Sequence, residues 1–239
     1  MYDLFEKFAH RYDLHTPPDH YKHDHAFVLE RASAVAPGGR LFDVGCGTGA
    51  FLEKALAAGF DAHGADSAAG MIEVAAARLG PGRVRLERMQ DLAERGAYDV
   101  VCALSWTIHY AGTAEELREV VHRCAAALKP GGLLILQAAN APLMTGAVRV
   151  DGEPGPAGEP DDTLFIHRFR RLGDAEQGVE ADYVYASQTL GELLTERHHL
   201  RFCDPEVVAE VMRGAGLAEV EVVDPGSLSP FVVGRGYRG

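Results

Sequence analysis

The run Asp43-Val-Gly45-Cys46-Gly47-Thr-Gly49 places a carboxylate two residues ahead of three glycines at alternate positions. Such glycines let a backbone turn tightly and approach a ligand closely, and the helix that follows offers free N–H groups. Two ligand chemistries use a loop of this kind. The spacing Gly45-x-Gly47-x-x-Ala50 satisfies the dinucleotide fingerprint, so the glycines alone leave NAD open. Asp43, at the end of the preceding strand, would repel a pyrophosphate and favour a cation. A glycine turn with a purely structural role is the third reading. Further along, Asp66 could accept from both hydroxyls of a ribose, a pairing strengthened by its charge. NAD proteins use an acid at this place too, and a solvated loop acid or helix cap would look the same.

Groups able to handle a proton fall in three other places. Ser105-Trp-Thr-Ile-His-Tyr110 follows the predicted fourth strand. His109 titrates near neutrality and is a candidate base, Trp106 a candidate apolar wall, and Tyr110 a candidate orienting group. Upstream, Tyr21, His25 and Val28 share one helical face at i, i+4 and i+7. Tyr21 and His25 are therefore candidate catalytic side chains, although a solvated amphipathic helix explains them equally. His167 lies in Leu164-Phe-Ile-His-Arg-Phe169, whose alternation suits a strand with one buried face, and is a candidate substrate contact. His20, His23 and His25 do not share a helical face and have no paired carboxylates, so no metal site is expected.

These groups need a scaffold, and alternating strand and helix patterns supply one. Strands are predicted at 41–44, 61–66, 83–88, 98–104 and 133–137, with helices between them, which implies a parallel sheet covered on both faces. Ser67 is the expected N-cap of the helix after the second strand, and Thr113-Ala-Glu-Glu116 opens the next with a capping-box pattern. Residues 151–162 hold three prolines, three glycines and five acids, an exposed loop. Three β-rich runs near 163–171, 179–187 and 193–203 read as an antiparallel insertion, a substrate cover or a homodimer contact. Asp204-Pro205 starts a last helix, and strands at 218–223 and 231–234 close the chain. The division expected is a helical cap at 1–38, a core at 39–140 and 204–239, and the insertion at 141–203.

With 239 residues, 47% hydrophobic and 24% charged, the chain has the bulk of one large globular domain. Its 23 basic residues against 35 acidic ones give a net charge of −12, which argues against an extended nucleic-acid surface. Four scattered cysteines without a C-x-x-C pair read as reduced. No basic leader with an apolar run opens the sequence, and no apolar stretch reaches membrane-spanning length. A cytosolic location is expected, with no membrane partner.

The pattern D-x-G-x-G-x-G at Asp43–Gly49, with Lys129-Pro-Gly-Gly132 before the fifth strand, resembles the class I S-adenosylmethionine-dependent methyltransferases. S-adenosylmethionine has a sulfonium, an ammonium and one carboxylate, and no phosphate, which suits Asp43. The resemblance covers residues 41–138 well and the last helix and two strands moderately. It implies an α/β, Rossmann-like seven-stranded sheet, mostly parallel with an antiparallel final strand, carrying a helical cap and an antiparallel β insertion. It also implies a cofactor site. Asp91 would take the adenine amino group, Leu92 would face the ring with its amide, and Met71 would pack on the ring. Tyr12, in Ala9-His-Arg-Tyr12-Asp13, would reach the cofactor carboxylate. Asp43, Gly45, Cys46, Gly47, Gly49, Asp66, Ser67, Gln90 and Leu104 complete the set. The insertion between the fifth strand and the last helix resembles that of the deoxysugar amino-methyltransferases of antibiotic pathways. The implied activity is methyl transfer to an N, O or C nucleophile of a small molecule. An NAD-dependent oxidoreductase and a non-catalytic S-adenosylmethionine-binding module are the alternatives.

Overall fold

The computed structural model describes residues 2–139, 145–151, 164–173, 178–226 and 229–237. Two sheets organise them. The larger is built from β1 (Arg40–Val44), β2 (Asp61–Asp66), β3 (Val84–Leu86), β4 (Tyr98–Ala103), β5 (Leu128–Gln137), β10 (Ala218–Val223) and β11 (Phe231–Arg235). Its order is β10-β11-β5-β4-β1-β2-β3, and β11 alone runs antiparallel to its neighbours.

Strand alternation divides the side chains between two apolar layers. On one face Phe42, Val44, Val101, Ala103, Leu134 and Leu136 meet Leu117, Val120, Val121 and Cys124 of α5 (Ala114–Ala127) and Val208, Ala209 and Met212 of α6 (Pro205–Gly214). On the other, Leu41, Val100, Cys102, Leu133 and Ile135 meet Val28 and Ala32 of α2 (Lys22–Val35) and Phe51, Leu52 and Ala55 of α3 (Ala50–Ala57). Each fully buried aliphatic side chain contributes about 1.5–3 kcal/mol. Asp43 has the parity of Leu41, so the pleat carries its carboxylate into this second layer, 3% exposed.

The helix ends follow their sequence signals with one exception. Thr113 accepts from the Glu116 N–H, and the Glu116 carboxylate reaches back to the Gly112 N–H at 2.7 Å. Asp204 caps α6, with Pro205 at its first position. Ser67 is not the cap of α4 (Ala69–Leu79). The cap position is Ala68, whose N–H is taken by Asp66 instead. Lys129-Pro-Gly-Gly132 is also not a turn ahead of the fifth strand but a register irregularity within β5.

The smaller sheet is antiparallel, in the order β6-β7-β8-β9: β6 (Arg149–Asp151), β7 (Leu164–Arg171), β8 (Gly178–Ser187) and β9 (Glu192–Arg201). It has one strand more than the sequence pattern shows, because three residues at 149–151 are too few for alternation to register. Apart from Asp151, the Gly- and Pro-rich run at 151–162 lies outside the described residues.

Ahead of the core, Ala9–Arg11 and Pro18–Tyr21 form 3₁₀ turns around the short helix α1 (Tyr12–His15). The segment is held to both sheets. Glu6 accepts from the Gly70 N–H at the start of α4, and Asp13 accepts from Thr48 in the glycine loop while pairing with Arg78. On the side of the second sheet, Glu196 accepts from the Asp3 and Leu4 N–H groups, and Arg11 pairs with Glu192.

Candidate active site

A cavity of about 320 Å³ opens where β1, β2 and β4 end, beneath the N-terminal segment. It lies at the carboxyl ends of parallel strands, where open α/β sheets place their ligands. The glycine loop forms its floor. Gly45 and Cys46 both donate their N–H groups to the Ala65 carbonyl, which folds the loop over β2. Gly45 has φ +73°, and a Cβ there would stand 2.4 Å from Thr107 Cγ2, so only glycine lets the loop after β4 close against it. Gly47 has φ +53° and open space where its Cβ would be, so its backbone faces the cavity bare. Gly49 does not line the cavity; as N-cap of α3 it packs against Ala75 and Leu79.

Two carboxylates stand beside this loop. Asp43 lies in an apolar layer against the Cys102 thiol, 3.5 Å away. Burial pushes its carboxyl up to about 8; the Cys102 contact opposes the shift and the Asp66 charge adds to it. Asp66 accepts from the Gly47 N–H at 3.0 Å and the Ala68 N–H at 2.9 Å. Burial raises its pKa against those bonds. A ligand bearing positive charge would favour the ionised form of both carboxylates, and S-adenosylmethionine fits that donor set and the bare Gly47 cradle.

The remaining sequence candidates separate into those the fold brings together and those it does not. Tyr12, Cys46, Ser67, Met71, Gln90 and Leu104 line the cavity, as do Tyr21, His25 and Tyr110. Met71 is 2% exposed and packs with Ala9 and Ala68. His25 lies between Tyr21 and Phe51, its Nδ1 buried without a partner. Burial and the Lys54 charge push its pKa down to about 4, so it is neutral at pH 7. Burial holds the Tyr21 and Tyr110 hydroxyls well above their ordinary range and raises Tyr12 as well.

Five other candidates are absent from the wall. Asp91 is exposed and Leu92 is buried in the apolar layer behind; the 3₁₀ turn Met89–Asp91 presents Met89 and Gln90 in their place. The loop after β4 departs most from expectation. Ser105 and Trp106 both take left-handed φ, +47° and +65°, and the reversal aims alternate residues inward. Ser105, Thr107 and Tyr110 line the cavity, whereas Trp106 and His109 turn away. Trp106 donates to Ser229 Oγ at 2.9 Å and stacks on His109, with ring centroids 5.3 Å apart.

His109 is fully buried. Neither ring nitrogen has a hydrogen bond of normal geometry, and burial outweighs the weak support of the Arg201 backbone, pushing its pKa down to about 3. It is a neutral packing group in this structure, away from the reacting volume. His167 likewise lies elsewhere, between Phe165 and Phe169 and beside a separate cavity with Arg168 and Asp182. Among the described residues no group of histidine, cysteine, aspartate or glutamate converges as metal ligands.

Tyr2, Phe5, Asp13, Thr16, Thr48, Phe51, Glu87, Arg88, Ser105 and Thr107 also line the cavity, and the sequence marks none of them. Thr48 lies inside the glycine run, Asp13 beside Tyr12, and Ser105 and Thr107 inside the run that ends at Tyr110, so these four lay next to a usable signal. A buried network supports the strained loop: Asp24 accepts from Gln137 Nε2 at 3.0 Å, and Gln137 Oε1 accepts from the Ser105 N–H at 2.7 Å.

Comparison with known proteins places the chain beside enzymes of one chemistry. Residues 41–132 match a family model described as a methyltransferase domain. The dTDP-4-amino-2,3,4,6-tetradeoxy-D-glucose N,N-dimethyltransferase of Saccharopolyspora spinosa is 32% identical over 119 residues, which cover 47% of this chain and 48% of the relative. The chain therefore spans about half the length of that curated relative. The sugar N-methyltransferase KedS8 of Streptoalloteichus superposes with a TM-score of 0.76 at 25% identity, covering 91% of this chain and 88% of that one. The S-adenosylmethionine-bound amino pentose methyltransferase CalS10 of Micromonospora echinaspora superposes with a TM-score of 0.71 at 27% identity, covering 89% and 90%.

Proposed function

We propose, on the premise that this chain carries a class I S-adenosylmethionine-dependent methyltransferase core, that it transfers a methyl group to the amine of a small natural-product acceptor. The observation that carries the proposal is that the buried Asp43 carboxylate and Asp66, which accepts from the Gly47 N–H, line one cavity with the bare backbone of Gly47. A dinucleotide would set its pyrophosphate against the Asp43 carboxylate, which disfavours the oxidoreductase alternative. The family match and the S-adenosylmethionine-bound neighbour point the same way.

In this reading Gly45, Cys46, Gly47 and Asp43 hold the methionine end, with Tyr12 closing over its carboxylate. Asp66 and Ser67 take the ribose, and Met71, Met89 and Gln90 surround the adenine. When bound, the cofactor supplies an electrophilic methyl group on a sulfonium. Alignment of nucleophile, carbon and sulfur is the main task left to the protein, and such positioning provides about 7–11 kcal/mol. The acceptor would lie among Tyr2, Phe5, Tyr21 and Tyr110, a wall of rings that favours an amine or its ammonium form through cation–π contact. The neighbours named for sugar amines support the same acceptor class.

Residues 1–38 act as the cap, 39–140 and 204–239 as the core, and 141–203 as the cover whose inner face closes the acceptor side. Across the other face of the second sheet, Val150, Ile166 and Val184 are register partners, as are Leu164, Ala186 and Leu193. Several of these are exposed, Leu193 at 69%, and this is the surface on which a homodimer contact would fall. Four unpaired thiols are consistent with work in the reducing cytosol. Among the described residues no helix is long and apolar enough to cross a membrane.

Titration calorimetry with S-adenosylhomocysteine and, in parallel, NADH tests the cofactor. Binding of the first alone is expected; binding of NADH alone would overturn the proposal. Mass spectrometry of amino-sugar nucleotides, phenols and indoles incubated with enzyme and S-adenosylmethionine then tests the acceptor, with a mass gain expected on amines.

A further inference from the structure

The cavity wall ends in a chain of polar groups that the cofactor site does not use. The Tyr110 hydroxyl lies 2.8 Å from His198 Nδ1, and His198 Nε2 lies 3.0 Å from Glu196 Oε2. Glu196 in turn accepts from the Asp3 N–H at 2.8 Å and the Leu4 N–H at 3.0 Å. A carboxylate that already accepts two backbone amides accepts again from the imidazole, so Nε2 carries the histidine proton. Nδ1 is then left as an acceptor, and the Tyr110 O–H must donate to it. Each member has one role: the carboxylate orients the ring, and the ring draws on the phenol. This is the logic of an activated nucleophile and its base, with a phenol in the first position.

The surroundings suit the relay. His198 is fully buried, stacked on Tyr2 at 3.6 Å between centroids and flanked by Phe5 and Tyr183. The titratable groups facing it are Tyr2 from the N-terminal segment, Tyr110 from the loop after β4, Tyr183 from β8, and Glu196 and His199 from β9. Burial lowers the pKa of His198 more than Glu196 raises it, which keeps the ring neutral and able to receive a proton at pH 7. His109, which the sequence offers as a base, is walled off, whereas Tyr110, the next residue, lines the cavity.

We infer that Tyr110 is the catalytic proton acceptor of this site, and that His198 and Glu196 are positioning residues that draw its own proton away. The inference rests on the methyl-transfer reading above. The acceptor nitrogen bonds to the methyl carbon as the carbon–sulfur electron pair returns to sulfur. Its N–H proton passes to the Tyr110 oxygen while the Tyr110 proton passes to His198 Nδ1. Charge balances: the sulfonium becomes a neutral thioether, and the positive charge ends on an imidazolium opposite Glu196. Water removes that proton on product release.

The test uses the full chain with ¹⁵N-labelled histidine and S-adenosylhomocysteine, followed by kinetics with dTDP-4-amino-2,3,4,6-tetradeoxy-D-glucose as the probe acceptor. His198 is expected as the Nε2–H tautomer, and Tyr110→Phe is expected to move its Nδ1 resonance. In kinetics, Tyr110→Phe should lower kcat about 100-fold or more, the usual scale of a lost proton acceptor, with S-adenosylhomocysteine affinity held within about threefold. Glu196→Gln and His198→Gln should lower kcat and displace the acid limb of its pH profile, which a structural tie between cap and sheet would leave in place. Unchanged kcat in Tyr110→Phe overturns the inference. So does an Nδ1–H tautomer, or a His198 resonance indifferent to Tyr110→Phe; these need no turnover and decide the matter even if the probe is not methylated. Failure of the wild type to bind S-adenosylhomocysteine would overturn the methyl-transfer reading itself.

Discussion

Replacing Asp43 by asparagine should make the cofactor-free protein more stable and a poorer binder at once. The fold places this carboxyl in an apolar layer, where its pKa rises from 3.8 to about 8. Between those values the folded state holds a proton that the unfolded chain has released, so stability falls as pH rises. The loss is about 1.4 kcal/mol per pH unit and reaches about 4 kcal/mol by pH 7. An amide in its place would keep the shape and remove the ionisation, so Asp43→Asn should recover a sizeable part of that amount. Urea unfolding of both proteins at about pH 5, 6, 7 and 8 measures it, the gap between them widening with pH and levelling off above about 8. Calorimetry on the same samples should show S-adenosylmethionine affinity reduced about 10- to 100-fold, the scale of one charge-assisted contact. A gap that stays constant with pH, or a variant less stable than wild type at pH 7, would refute the account of a strained carboxylate awaiting a cation. Retained affinity would remove Asp43 from the site.

Other substitutions probe the loops. Gly45→Ala forces an L-residue to φ +73° with its Cβ against Thr107; beyond the roughly 1–2 kcal/mol of left-handed strain, cofactor binding by calorimetry should be lost. His109→Leu should fold with a flatter acid limb. The wild-type imidazole, pushed down to about 3, adds stability above pH 6.5 that is lost as pH falls toward 3, at about 1.4 kcal/mol per unit, and the variant lacks that loss in urea melts. Its kcat should keep the wild-type pH dependence, since His109 lies outside the cavity. Gln137→Ala leaves the Ser105 N–H and Asp24 without their partner. It should lower unfolding free energy by about 1–3 kcal/mol and reduce turnover more than cofactor affinity.

The framework and the glycine floor of the cavity were legible in the sequence because their determinants are local. Alternation at 41–44 and 98–104 specifies which residues face which layer, so it places Asp43 at the strand end beside the glycines without any tertiary knowledge. The glycine run reads as a ligand loop because few other residues accept its backbone angles, and Thr113–Glu116 and Asp204-Pro205 mark helix starts that the structure reproduces. The wall opposite the glycine loop was not legible in this way. Two consecutive left-handed residues, Ser105 and Trp106, decide that Tyr110 and not His109 lines the cavity. Neither is glycine, and what holds them is Gln137, more than thirty residues away. Tyr110 meets His198 across 88 positions of sequence, and Glu196 meets Asp3 across 193. No periodicity encodes such pairs, because they form only when the N-terminal segment is laid between the two sheets. Spacing in the chain therefore determined the framework and the glycine floor of the cavity, and long-range packing decided which of its many histidines and tyrosines line the rest of it.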